Sequence, residues 1–405
     1  MSNQFDYDVI IAGGGPAGSS AAIHLTMGGA RVLLVEQKKF PRAKLCGEFI
    51  SPECAPHFER LGVAEQILAA SPARLTETVF YSRQQRSVSV PSAWFGANGV
   101  ALGLSRAEMD ERLLRRASDA GAMVLEDAQV VNLLFDKDRV AGVTIKHTGK
   151  HTGYRAPVTI DATGRARALA RRVDQSHHKT KSHRASLVAF KAHLEDARVA
   201  PGACEIYFYR GGYGGLSSIE NGLSNLCFIA SARAVRECGT DAERVMREVV
   251  CQNGRAAYAL EHARASTPWL AVSLEGFGRH TVTPTTGLLA IGDAASFIDP
   301  FTGSGMLMAL ESGELAASVI GDRIAAIRRG AGTLELETLY RAAYKTRFHS
   351  RLRICSLMRR AAFVPGLAQL AIRVCGRSDH LRHRLSRATR GSAPETYCLP
   401  ERLNG

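Results

Sequence analysis

The residues from Tyr7 to Gln37, YDVIIAGGGPAGSSAAIHLTMGGARVLLVEQ, constrain this chain more than any others. Val9, Ile10 and Ile11 form a short all-apolar run, the pattern of a parallel strand buried on both faces. Gly13, Gly15 and Gly18 follow at G-x-G-x-x-G spacing, with Pro16 and Ala17 opening a helix that reaches about Met27. In such a turn the first glycine permits the sharp reversal and the second lets a pyrophosphate approach the backbone. The third lets the helix pack closely on the strand. The helix then offers its unpaired N–H groups and positive dipole end to the anion. A second apolar run, Val32 to Val35, ends in Glu36, about twenty residues on, where an acid accepts from a ribose hydroxyl. The glycines alone are a weak signal. Strand, turn, helix, strand and acid in that order point to an ADP-containing dinucleotide.

At 405 residues the chain can form more than one packed unit. MSNQFDYDV lacks a signal-peptide pattern, and there is no uncharged apolar run of about 18 residues, so the expected location is cytoplasmic. Nine scattered cysteines without C-x-x-C pairs argue against a zinc site or a disulfide framework, and no metal is expected. The net charge of +14 is concentrated at one end. Between Arg341 and Gly391 thirteen Lys/Arg face one acid, Asp379. There Phe348, Leu352, Leu357, Phe363, Leu367 and Leu370 suggest an apolar helical face, with Pro365-Gly366 dividing two helices. Such a basic amphipathic segment either packs on its own domain, the favoured reading, or makes a peripheral contact with an anionic membrane. A nucleic-acid partner is disfavoured, because no recognised module or interleaved exposed aromatics accompany the charge.

Further along, residues 75–90 alternate as strands do. Ser105 with Glu108 reads as a capping box before the helix that contains Leu113 and Leu114. Short strands are expected at Ala122 to Leu125, Gln129 to Phe135, Val140 to His147 and Val158 to Ile160. From Lys181 to Arg279 aromatic and β-branched runs suggest an antiparallel sheet with a helix near Asp241 to His262. Within it RGGYGGLS surrounds Tyr213 with glycines that permit a sharp turn or approach to a flat ligand. A second strand-to-helix turn occurs at Leu288 to Ile320, where LLAIGD is followed by Pro300, Gly303, Gly305 and Met306.

The string PRAKLCGE resembles the PRxKxCG loop of the geranylgeranyl reductase family of FAD-dependent oxidoreductases. The chain to about residue 325 resembles the superfamily this family shares with single-component aromatic hydroxylases and flavin-dependent halogenases. The resemblance implies an α/β fold: a Rossmann-type FAD-binding domain like that of glutathione reductase and p-hydroxybenzoate hydroxylase, an inserted antiparallel-sheet substrate domain and a C-terminal helical tail. Residues 1–74, 100–180 and 280–325 would bind FAD, 75–99 and 181–279 would form the substrate sheet, and 326–405 the basic helical region. The resemblance also places Cys46 and Gly47 at the flavin, Arg106 on FAD and the backbone near Val130 at the adenine. Gly164 would lie in the ATG turn and Asp293 on the ribityl chain, while the turn at Pro300, Gly303, Gly305 and Met306 faces the flavin's N1–C2=O edge. Cys46, Glu48 and Tyr213 are the catalytic candidates, Glu48 as a proton donor if burial raises its pKa.

Two departures narrow the branch. Leu307 follows G-S-G-M where aromatic hydroxylases carry Asn, and Trp94 and Trp269 do not form the WxWxIP motif of halogenases. The YxWxFP substrate strand of many geranylgeranyl reductases is also missing, which leaves the substrate open. The implied activity is C=C reduction on a hydrophobic isoprenoid or polyketide-like compound through hydride transfer at flavin N5. The alternative is a monooxygenase using a C4a-hydroperoxyflavin. No second dinucleotide turn is present, so NAD(P)H would bind transiently or another electron donor would replace it. A flavin-bearing binding protein that docks through its tail is the reading outside enzymology.

Overall fold

The computed structural model describes residues 5–96, 99–177, 187–274, 277–298, 303–329, 334–362 and 367–388. Strands Leu288–Ala290, Val158–Asp161, Val9–Ala12, Val32–Val35 and Met123–Leu125 lie side by side in that order as a five-stranded sheet. Every pairing in it is parallel. Its strands are apolar at nearly every position because both faces are covered. Val9, Ile11, Val32 and Leu34 pack with the helices, whereas Ile10, Leu33 and Val35 pack against Leu133, Val143 and Ile145. The latter belong to a three-stranded antiparallel sheet of Gln129–Asp136, Arg139–His147 and Lys150–Arg155.

The helix Arg106–Asp119 starts where the sequence predicts, and Ser105 Oγ accepts from the Glu108 N–H at 3.2 Å. The reciprocal half of the capping box is not made. The Ser105 N–H donates to Glu220 Oε2 at 2.9 Å, and Glu108 pairs with Arg112. A buried carboxylate from a distant turn has displaced the local partner.

The second layer is an eight-stranded sheet that includes Leu187–Glu195, Ala203–Tyr209, Gly212–Ser218 and Ser224–Ser231 with Glu77–Tyr81 and Ser87–Pro91. It is antiparallel except that Ala203–Tyr207 runs parallel to Glu77–Tyr81. These two strands are distant in the chain, so no hairpin sets their relative direction. One face of the sheet, with Phe190, Tyr207, Leu226 and Phe228, packs on the helices Ala232–Glu237, Ala242–Glu248 and Gly254–Leu260.

The basic end forms helices Leu334–Ala362, Leu367–Cys375 and Asp379–Ala388. The expected single apolar face is divided: Phe348 and Leu352 are buried, whereas Leu357 is 62% exposed and Leu370 53% exposed. Leu357 is nine residues beyond Phe348, which at about 100° per residue puts it on the opposite side of the same helix. Phe363, Pro365 and Gly366 lie outside the residues whose side chains are described. Glu311 ties this helix to the body, pairing with Arg351 at 2.6 Å and Arg347 at 3.1 Å. No described helix is long and apolar enough to cross a membrane.

The two helices that follow the glycine turns, Pro16–Met27 and Gly305–Gly321, meet backbone to backbone. A Cβ on Gly313 would overlap the Ala17 carbonyl oxygen and approach the Ala21 nitrogen at 2.9 Å. Ser20 Oγ donates to the Leu310 carbonyl at 2.9 Å across the same contact. We expect Gly313→Ala to cost about 1–3 kcal/mol by forcing these helices apart. Urea unfolding would measure it, and an unchanged midpoint would refute the close contact.

Candidate functional site

The first turn divides its glycines by task. Gly13 has φ of +108°, and a Cβ there would strike the Ala162 carbonyl. A Cβ on Gly18 would strike the carbonyl of Gly13. Both are therefore demanded by the fold. Gly15 differs: a Cβ there would meet only guanidinium nitrogens of Arg42 and Arg106, each 3.9 Å away. Gly15, Pro16 and Ala17 face a cavity of about 490 Å³. Glu36 braces the turn itself, with Oε2 accepting from the Gly14 N–H at 2.8 Å and Oε1 from the Lys38 N–H at 2.9 Å. The Ala128 N–H donates to the Glu36 carbonyl and leads into the strand with Val130. Val130 pairs with Ile145 and is not on the cavity wall.

The second turn meets the same cavity. Gly164, Asp293, Gly303, Gly305 and Met306 line it, together with Arg106, Lys44 and Arg165. Pro300 lies outside the described residues. Burial pushes the Asp293 carboxyl up, against the pull of Lys44, Arg106 and Arg165. Burial and the nearby Arg106 and Arg42 push the Lys44 ammonium down. Arg106 would also be lowered by burial, but Asp110 outweighs that with a bidentate pair at 2.7 and 2.6 Å. A backbone cradle left open at Gly15, cations beside it and a carboxylate with no hydrogen bond among the described residues suit a dinucleotide. The residues present therefore fit FAD: Gly15 and Arg106 for its diphosphate, Asp293 for a sugar-chain hydroxyl and the first turn of Gly305–Gly321 for the ring.

Cys46, Gly47 and Glu48 also line the cavity, so the loop and both glycine turns converge. The expected raised pKa of Glu48 is overturned. Burial favours the neutral acid, yet the hydrogen bond from His193 and the charge of Lys191 outweigh it and lower the pKa. Glu48 is 0% exposed, with Lys191 Nζ 2.5 Å from Oε1, His193 Nε2 2.7 Å from Oε2 and the Arg106 N–H 2.8 Å from Oε1. An ionised carboxylate only accepts, so His193 Nε2 carries the proton. Glu48 is thus an anchor and not a proton donor. Its φ of +52° is the left-handed region, costly for a non-glycine residue by about 1–3 kcal/mol and sustained by these bonds. Its own N–H donates to Cys46 Sγ at 3.4 Å, while Asn225 Nδ2 donates to the Cys46 carbonyl at 3.2 Å.

Sequence reading missed Lys191, His193 and Asn225. Ala189, Lys191 and His193 share one parity of Leu187–Glu195 and so one sheet face. Cross-strand register aligns Tyr213, Ile229, Ala189 and Val272 in one row and Cys227, Lys191 and Leu270 in the next. Ala189, Ile229, Val272, Cys227 and Leu270 line the cavity. Tyr213 does not. It is buried in the apolar cluster with Phe208, Ile229 and Phe297, which removes it from the residues in reach of a reacting atom. The surrounding glycines serve strand packing: a Cβ on Gly212 would hit the Ile229 carbonyl, and Gly211 turns the hairpin at φ of +80°.

Two substitutions separate these roles. Gly15→Ala keeps an ordinary backbone, so the FAD-free protein should unfold unchanged while FAD binding weakens roughly tenfold or more, from about 1–3 kcal/mol of overpacking. Equal FAD titrations of variant and wild type would refute this. Lys191→Met should cost about 3–5 kcal/mol by leaving the Glu48 charge poorly compensated. The pH dependence of stability should also weaken. In the wild type the lowered Glu48 pKa stabilises the fold above the ordinary carboxylate value of 4.5, and this is lost on acidification. In Lys191→Met, with His193 left to hold the charge, less of this stabilisation should remain to be lost on acidification. Denaturation midpoints across pH test it.

Comparisons with known proteins identify the family and the fold. The menaquinone reductase of Mycolicibacterium smegmatis is 26% identical over 340 residues, 77% of this chain and 76% of that protein. The digeranylgeranylglycerophospholipid reductase of Methanocella arvoryzae is 27% identical, covering 79% of each. Among solved structures, a flavin-dependent brominase aligns with a TM-score of 0.78 at 21% identity, covering 95% of this chain and 93% of that one. A geranylgeranyl bacteriochlorophyll reductase-like protein of Thermoplasma acidophilum aligns at 0.75 and 21% identity over 92% of each chain, so the fold is shared. The FAD binding domain family model matches residues 6–343, and the chain, an FAD-dependent oxidoreductase, belongs to that family.

Proposed function

We propose that the protein reduces a C=C bond of a hydrophobic isoprenoid or polyketide-like compound, with NAD(P)H or another transient donor supplying electrons. The observation that carries this reading is the apolar sheet wall, with Ala189, Ile229, Val272 and Leu274, lining the same cavity as the Cys46–Gly47 loop and Gly305. Such a wall excludes water and binds hydrocarbon. The names of two curated relatives, reductases of menaquinone and of digeranylgeranylglycerophospholipid, support a large apolar substrate.

FAD, when bound, supplies a two-electron carrier between donor and substrate. Saturation places a hydride on one carbon and a proton on the other, with the donor oxidised by two electrons. Glu48 cannot deliver that proton, being held as an anion by Lys191 and His193. We assign it to the Cys46 thiol, which lines the cavity and whose sulfur accepts from the Glu48 N–H. Arg106 and Lys44 hold positive charge at the same wall.

Anaerobic turnover of a polyprenyl substrate should give a product heavier by two hydrogens, read by mass spectrometry. A product heavier by one oxygen, with oxygen consumed, would replace this reading with monooxygenation. Cys46→Ser should retain FAD but slow turnover roughly a hundredfold, the usual contribution of a positioned acid. Unchanged kinetics would take Cys46 out of the mechanism.

A further inference from the structure

The helix Leu367–Cys375 is apolar on two opposite sides. Ile372, 6% exposed, and Cys375 belong to the cluster of Phe297 and Leu274, both of which line the cavity. Leu370 and Val374 lie about 160° round the helix from Ile372 and are 53% and 43% exposed. The neighbouring helices add exposed Leu357 and Leu385, at 62% and 42%. A helix that merely closed the fold would carry polar residues on its outer side.

Unpaired positive charge is concentrated around these side chains. Several exposed arginines on other helices are matched by acids, as in Arg233–Glu237 and Arg244–Glu248. Arg353, Arg373, Arg377, Arg384 and Arg387 are exposed and make no ion pair among the described residues, and Arg382 alone on the last two helices pairs, with Asp379. Exposed leucines set among unneutralised guanidiniums complement a surface that is apolar a few ångströms in and anionic at its headgroups.

We propose that the helices Leu367–Cys375 and Asp379–Ala388 dock the protein on an anionic lipid bilayer, with Leu370 and Val374 inserted at the headgroup boundary. Arg373 and Arg377 face the lipid phosphates, each strengthening binding about fivefold. The opposite side of the docking helix, through Ile372, joins the apolar cluster that also holds Leu274 and Phe297 of the cavity wall. The docking itself stands whichever bond is reduced, because its test uses no turnover.

The test is co-sedimentation of full-length, FAD-loaded protein with vesicles of phosphatidylglycerol in phosphatidylcholine at physiological salt, against phosphatidylcholine alone. The protein should sediment with the first and stay free of the second. Leu370→Asp with Val374→Asp should weaken binding roughly tenfold or more, and so should Arg373→Glu with Arg377→Glu. Flavin content and unfolding midpoint should stay unchanged, since all four side chains are exposed. If the apolar pair unfolds the protein, the arginine pair decides alone. Absence of binding by the wild type overturns the proposal. So does binding that is insensitive to Leu370 and Val374 in a folded variant, which would reduce it to charge alone. Light scattering that shows these substitutions breaking a dimer would assign the face to a second copy and also overturn it.

Discussion

The helices Pro16–Met27 and Gly305–Gly321 are held at a separation that only small side chains allow, and the cavity depends on it. Ala17 and Ala21 oppose Gly313, Ser20 bonds across to Leu310, and the Gly292 N–H donates to Ser312 at 2.8 Å. Interaxial distance follows the side chains at the crossing. A larger residue at any of these positions would separate Gly15 from Gly305, both of which line the cavity. Glycine is thus needed in this region for two physically different reasons: to let two helices touch, and to leave room for something that is not protein.

That contact brings helix beginnings together. Gly15 precedes one helix, Arg106 opens a second and Gly305 a third, and all three residues face one cavity. Each helix start carries about half a positive charge. Arg106 and Arg165 add guanidinium charges at the same wall, with the Lys44 amine beside them. Burial lowers the Lys44 pKa and the like charges of Arg106 and Arg42 lower it further, so these cations work against folding. A bound diphosphate relieves that repulsion, so cofactor binding and fold stability are coupled, by about 4 kcal/mol when the ligand is a thousandfold above its Kd.

The parts of this architecture that were legible in the sequence are those where local chemistry dictates local shape. The all-apolar strands, the glycine turns and the helix starts follow from residue type and spacing, as did the convergence of Cys46 and Asp293 through resemblance. What was not legible depends on partners remote in the chain. Ser105 looked like half of a capping box because Glu108 is three residues away, yet Glu220 takes its N–H. Glu48 looked like an acid awaiting a raised pKa because nothing nearby in sequence announces Lys191 and His193. The parity of Ala189, Lys191 and His193 was there to be read, but its meaning required knowing which face of the sheet met the loop. Tyr213 drew notice for its glycines, whose purpose was the approach of one strand to another.

Buried carboxylates give the clearest physical distinction between framework and site. Asp8 is held by Arg328 and Arg31, Asp110 by Arg106, Glu205 by Arg255, Glu311 by Arg351 and Glu48 by Lys191. In each case an ion that would be costly to bury has a hydrogen-bonded counter-ion, as a stable interior requires. Asp293, half-buried on the cavity wall, has no such partner among the described residues. Burial raises its pKa, the surrounding cations act on it only at a distance, and no donor from the described residues reaches it. A carboxylate placed in that way beside the backbone cradle is a ready acceptor for a donor that a ligand brings. The hydroxyls of a sugar chain supply such donors without adding charge, which Lys44, Arg106 and Arg165 are already placed to balance.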